Sequence, residues 1–154
     1  MRSGTLALAA IMLSGCGFGP SAEFTLSNAA VQPNFVCAST TSNSQYELHA
    51  TIGARNGMSS AVSIKSVSAV MTLAAVHGGW LQPVGYRYDA GAVVFAPDHV
   101  GASSSSNLNV TIPSACRSRT SGTLSYADYS VALTVVASAG TFKITAKNLH
   151  RIIA

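Results

Sequence analysis

Charge is what this sequence has least of. Only 9% of its 154 residues are Asp, Glu, Lys or Arg, against roughly 25% in an ordinary soluble domain. The five acids, Glu23, Glu47, Asp89, Asp98 and Asp128, are scattered along the chain. Paired-carboxylate chemistry therefore has no local signature. The sequence has no HExxH, no GxSxG, no phosphate-binding loop and no dinucleotide fingerprint, so the common catalytic motifs are missing. It has no CxxC either, which removes the usual redox and zinc-ribbon patterns. Basic residues are not clustered densely enough to argue nucleic-acid binding. No apolar run is long enough to span a bilayer: Leu6–Leu13 is eight residues, where a spanning helix needs about 20.

What is present is small and hydroxylated. Hydrophobic residues make up 48% of the chain, and much of the remainder is Ser, Thr, Ala and Gly. This composition suits an exported β-protein better than a cytosolic helical one. The length fits one domain, large enough to bury an independent core. The formal net charge of +4 falls by one if Arg2 is removed with a leader, and no cofactor is implied.

The first residues read as such a leader. Arg2 precedes the apolar run, and the small residues Ser14 and Gly15 follow it, the order of a secretory signal peptide. Leu13-Ser14-Gly15-Cys16 resembles the lipobox of bacterial lipoproteins. That resemblance implies cleavage before Cys16 and a diacylglyceryl thioether on its sulfur, with further acylation of the new amino terminus. Two or three acyl chains hold a protein to a membrane durably, whereas one does so only marginally. The alternative is an ordinary signal peptide with Cys16 incidental. On the lipoprotein reading, residues 1–15 are signal peptide, 16–21 a short tether and 22–154 the folded domain, and the membrane is a partner through lipid on Cys16. Cys37 and Cys116 then remain as a pair in a compartment that permits disulfides, the alternative being two buried thiols. Closing a loop of that length stabilises a fold by about 4.5 kcal/mol in the chain-entropy model.

Along the mature chain, apolar and polar residues alternate with period two, the signature of half-buried strands. Tyr46, Leu48, Ala50, Ile52 and Ala54 form the clearest apolar face, ending at a turn signal, Asn56-Gly57. Val62-Ser63-Ile64 and Val67–Val76 occupy opposite parities, which a bulge near Lys65-Ser66 reconciles; a short helix over 67–76 is the alternative. Short strands are expected at Tyr86–Tyr88 and Ala92–Ala96 around a turn at Asp89-Ala90-Gly91. Pro97–Asn107 reads as a loop ending in serines. Leu108, Val110 and Ile112 mark another strand. Tyr129, Val131, Leu133 and Val135, then Phe142, Ile144 and Ala146, mark the last two.

Seven or so short strands separated by turns favour an all-β, antiparallel β-sandwich. The body resembles immunoglobulin-like domains of bacterial surface proteins. Asp128-Tyr129-Ser130-Val131 is similar to their tyrosine corner, with Val131 where antibody domains carry a cysteine. The resemblance implies architecture only.

Candidate sites are few. His77–Tyr88 holds the lone tryptophan, and within it His77, Trp80, Tyr86, Arg87 and Tyr88 are the residue types that stack on sugars or anchor a protein partner. The alternative for Trp80 is a cap on the core. Asp98-His99 is the one adjacent acid–imidazole pair, the sole foothold for a hydrolase reading. His49, His77, His99 and His150 meet as metal ligands only if tertiary folding gathers them. Lys143 and Lys147 share a parity and suit either a basic stripe or protection of a sheet edge. The reading is therefore a non-enzymatic interaction or structural module of the bacterial envelope, with a glycan-binding module using Trp80, Tyr86 and Tyr88 as the alternative.

Overall fold

The alternating segments become two packed sheets. The computed structural model describes residues 22–38, 44–116 and 125–154, so the expected leader, lipobox and tether lie outside the described residues. One sheet is ordered β1-β3-β8-β6, from Phe24–Val31, Ser44–Asn56, Ser104–Cys116 and Val94–Ala96. The other runs β2-β11-β9-β4-β5, from Asn34–Val36, His150–Ile153, Tyr126–Ala137, Val62–His77 and Arg87–Ala92. β10 (Gly140–Thr145) continues the flank of β9, and β7 (His99–Val100) pairs with the start of β4. Every pairing is antiparallel except β2 with β11.

This order is that of an immunoglobulin sandwich. β1, β3, β8 and β6 take the places of strands A, B, E and D, while β10 with β11, β9, β4 and β5 take G, F, C and C′. The expectation of about seven short strands becomes eleven among the described residues, from the two-residue β7 to the 16-residue β4. The surplus of four arises because β1/β2 and β5/β6 each change sheets partway, β10 and β11 are two pieces along one side of β9, and β7 is a short extra strand beside β4.

The core is the inward parity of both sheets. Leu48, Ile52, Leu108 and Ile112 from one meet Val67, Met71, Val131 and Leu133 from the other, all essentially without solvent contact. Residues 67–76 are strand, and the register of β4 against β9 shifts between Ile64 and Ser66. The bulge sits where the parity changes.

Two local expectations change. Asp89-Ala90-Gly91 is a bulge inside β5, not a turn between strands; the Asp89 carboxylate accepts the Gly91 N–H at 2.8 Å and Gly91 takes φ 63°. Ser104–Ser106 belong to β8, paired with Asn56–Ala54, so cross-strand pairing overrides the poor strand preference of serine. Asn56-Gly57 turns the chain as expected, carrying it from one sheet to the other. Buried Asn56 anchors that corner: its Nδ2 lies 2.8, 3.2 and 2.9 Å from the carbonyls of Ser60, Val100 and Gly101, and its Oδ1 accepts the Met58 N–H at 2.9 Å.

Cys37 and Cys116 form a disulfide across 79 residues, joining the end of β2 to the end of β8 and thus one sheet to the other. Asn148 explains the break between β10 and β11. Its side-chain amide bonds both the N–H and the C=O of Val31, at 3.1 and 2.7 Å, as a neighbouring strand would. Lys143 and Lys147 face solvent, as their parity indicates.

Candidate binding cleft

β4 stays paired with β9 to its last residue, His77, and hands the chain to a turn-rich connection that returns to β4. Pro83–Tyr86 is a β-turn, with the Tyr86 N–H bonding the Pro83 carbonyl at 3.0 Å. Gly85 has φ 91°, the conformation a type II turn needs at its third position. The turn is pinned to β4, because Gly85 N–H donates to the Leu73 carbonyl and Leu73 N–H to the Tyr86 carbonyl, both at 2.8 Å. The following residues enter β5, where Tyr88 is paired with buried Met71.

The result is a cleft of about 230 Å³ opening between the sheets. Met71, Tyr129 and Ile152 contribute from the β4 sheet, Ser114, Ala115 and Cys116 from β8, and Trp80, Leu81, Gln82, Tyr86 and Tyr88 from the connection and β5. Two hydrogen bonds tie the aromatic wall to the body. The Trp80 indole N–H donates to the Tyr129 hydroxyl, and the Tyr88 hydroxyl donates to the Pro113 carbonyl, both at 3.3 Å. No lining residue carries a charge. Burial raises the Tyr129 phenol above its usual pKa, opposed in part by the Trp80 contact, so it stays protonated. The cleft offers apolar contact, ring stacking and neutral hydrogen bonds, with Leu81 and Val84 more than half exposed beside it.

Of the five residues expected at this site, the fold gathers Trp80, Tyr86 and Tyr88 and excludes two. Arg87 lies between Tyr86 and Tyr88 on a strand, so it projects to the opposite face. His77 is on the outside of β4, its ring stacked on Tyr126 at 4.8 Å. Trp80 serves both anticipated purposes, packing on the core while lining the cleft. Tyr129 has its hydroxyl on Trp80, where a tyrosine corner bonds backbone a few residues upstream.

Asp98 and His99 do converge, Oδ1 to Nδ1 at 2.9 Å, and the histidine holds the Asp98 carboxyl below its ordinary pKa. The pair is 83% and 65% exposed and sits beside the start of β4, at the other end of the sandwich from the cleft. The four histidines remain apart; among the described residues no three His, Cys, Asp or Glu side chains come together.

One polar cluster escaped sequence reasoning. His150, wholly buried, places Nδ1 2.7 Å from the Gln32 carbonyl and Nε2 2.7 Å from the Tyr46 hydroxyl. The carbonyl can only accept, so Nδ1 carries the proton and Nε2 accepts from Tyr46. Burial lowers the His150 pKa and raises that of Tyr46 to about 12, opposed in part by the Ser114 hydroxyl. Phe35 stacks on Tyr46 at 3.9 Å. Both sheets and the β1–β2 crossing meet at this cluster, directly behind Ser114 of the cleft.

The fold and the cleft define an immunoglobulin-topology β-sandwich with an uncharged, aromatic-walled opening between its sheets. No family model matches the chain, and no curated protein matches it. Among solved structures it is similar to the ASH/PapD-like domain 7 of human CEP192, at 10% identity and a TM-score of 0.39 over 97% of this chain and 95% of that one. It is also similar to AggA, the major subunit of aggregative adherence fimbriae type I from Escherichia coli, at 7% identity and a TM-score of 0.33 over 84% of this chain and 94% of that one.

Proposed function

We propose that this chain is an exported bacterial envelope protein, cleaved after residue 15 and anchored by lipid on Cys16, whose sandwich domain binds a protein partner at the cleft and performs no catalysis. One observation carries the binding reading. Trp80, Tyr86 and Tyr88 wall an uncharged opening, and Leu81 and Val84 stand exposed beside it. Large aromatics around a desolvated pocket are the usual anchors of protein interfaces. The disulfide supports an oxidising compartment.

The test compares the mature domain with a Leu81→Asp, Val84→Asp variant as bait on detergent-solubilised membranes of the native host. Both side chains are exposed, so the variant keeps the wild-type melting temperature. The expected result is a reproducible partner held by the wild type and lost by the variant. Equal recovery on both baits moves binding away from the cleft.

Glycan binding is the second reading, favoured by four aromatic side chains, Trp80, Tyr86, Tyr88 and Tyr129, standing with the polar side chains of Gln82 and Ser114 in one opening. Trp80 is the lone tryptophan, so its fluorescence reports the site directly. Titration with envelope polysaccharide fragments shifts that emission saturably on the glycan reading and leaves it flat on the protein-partner reading.

A further inference from the structure

The register fixes where the chain enters the domain relative to the cleft. Phe24 pairs with Asn56 at one end of β3, and Gly57 N–H bonds the Glu23 carbonyl at 2.9 Å. The entry point therefore lies at the pole of the Asn56 corner, where Asn56 pairs with Ser104 and its amide holds Gly101. The cleft residues Ser114–Cys116 are at the other end, where Cys116 pairs with Ser44. β3 spans Ser44–Asn56, 13 residues, so the poles are about 40 Å apart at roughly 3.3 Å per residue.

From these relations we infer that the cleft is the membrane-distal pole of the anchored protein, and that its partner is reached beyond the bilayer surface. The inference rests on the lipid anchor at Cys16 proposed above. Cys16 and Glu23 are separated by seven residue steps, at most about 25 Å of extended chain. The Asn56 pole is thereby confined near the headgroups, while the cleft, on the far side of the domain, is not. The cleft reaches the bilayer only if the domain lies flat, and the faces it would lie on carry mostly polar side chains around isolated apolar ones, Val94 on the β3 sheet and Val70 and Val136 on the other. Glu47, His49, Thr51 and Arg55 of β3 with Asn107 and Asn109 of β8 all point outward from the β3 sheet, and Ser68, Thr72, Ser130 and Thr134 are partly exposed on the other. The competing arrangement has Leu81, Val84 and Tyr86 dipping into lipid, which brings Trp80 to the headgroups.

Trp80 makes the two arrangements measurable. The acylated protein purified from cells is reconstituted into vesicles containing dansyl-headgroup lipid, and energy transfer from tryptophan is recorded. A second protein carries Trp80→Phe with Ala102→Trp, which moves the donor to the exposed turn beside Asn56. The inference expects severalfold stronger transfer from position 102 than from Trp80. Equal or stronger transfer from Trp80, with Cys16 acylated by mass spectrometry, overturns the orientation while leaving the anchor standing. An unmodified Cys16 overturns the anchor and the orientation with it.

Discussion

Tyr46→Phe removes one oxygen atom and isolates one buried nitrogen. The ring stays, so its stack on Phe35 at 3.9 Å is kept. What goes is the 2.7 Å hydrogen bond to His150 Nε2 together with the Ser114 hydroxyl's contact with the phenol oxygen; the first loss leaves an acceptor without its partner inside a residue that has no solvent contact. Stranding a buried polar atom costs about 1–3 kcal/mol, so the urea midpoint falls by that amount divided by an unchanged m-value. His150 adds a pH signature with a definite sign. Its folded pKa lies below the ordinary 6.5 because burial disfavours the cation, so the unfolded chain takes up a proton first. Stability from this residue is complete above pH 6.5 and is lost as pH falls from there through the folded pKa, by at most about 1.4 kcal/mol per pH unit. Asp98 and Asp128, whose carboxyls are held below the usual range by His99 and Arg151, lose their contributions only at about pH 4 and below. Urea titrations at pH 8, 6 and 5 therefore separate the two effects. Wild-type stability for Tyr46→Phe at pH 8, or an acid slope from pH 6.5 to 5 that survives His150→Gln unchanged, refutes this account of the cluster.

Other perturbations have equally direct outcomes. Replacing Cys37 and Cys116 together by Ala removes a cross-link over 79 residues and lowers unfolding stability by up to about 4.5 kcal/mol, read by chemical denaturation; a loss under about 1 kcal/mol contradicts the inter-sheet role. Gly85→Ala meets no atom within 4 Å but must hold φ 91°, so its cost is conformational, about 1 kcal/mol, with the cleft loop loosened in hydrogen exchange. Asp128→Asn breaks the two-point pair with Arg151, at 2.7 and 2.9 Å; the arginine side of the pair is nearly half exposed, so the cost is about 1 kcal/mol, a difference that vanishes in acid once the wild-type carboxyl is protonated. Leu133→Ala empties a fully buried position between the sheets and costs about 2–5 kcal/mol in thermal or urea unfolding.

Strands with one buried face were legible from alternation. Tyr46–Ala54, Leu108–Ile112 and Tyr129–Val135 are where period two places them, because one-sided burial imposes that period. The Lys65 bulge was legible too, since a strand that keeps one face buried through a parity change must take up an extra residue there. Pairing and sheet changes were not. Whether Asp89–Gly91 turns or bulges depends on β4 beside it, and Ser104–Ser106 are strand only because Asn56–Ala54 face them. The cleft was half legible for the same reason. Trp80, Tyr86 and Tyr88 cluster in sequence and stand out, whereas Met71, Ser114, Tyr129 and Ile152 sit on four different strands and read as ordinary inward positions. His150 follows the parity slip at Asn148, so nothing local marks it as buried.

The most direct test places a photo-cross-linking side chain at Leu81, beside the cleft, and separately at His99 on the opposite pole, in the full-length protein in its native cells. Both positions are exposed, so neither substitution disturbs the core. Binding at the cleft predicts one discrete cross-linked partner from position 81, absent from position 99 and lost when Tyr86 is also changed to Ala. Capture of the partner from position 99 and not from position 81 would contradict the assignment of binding to the cleft.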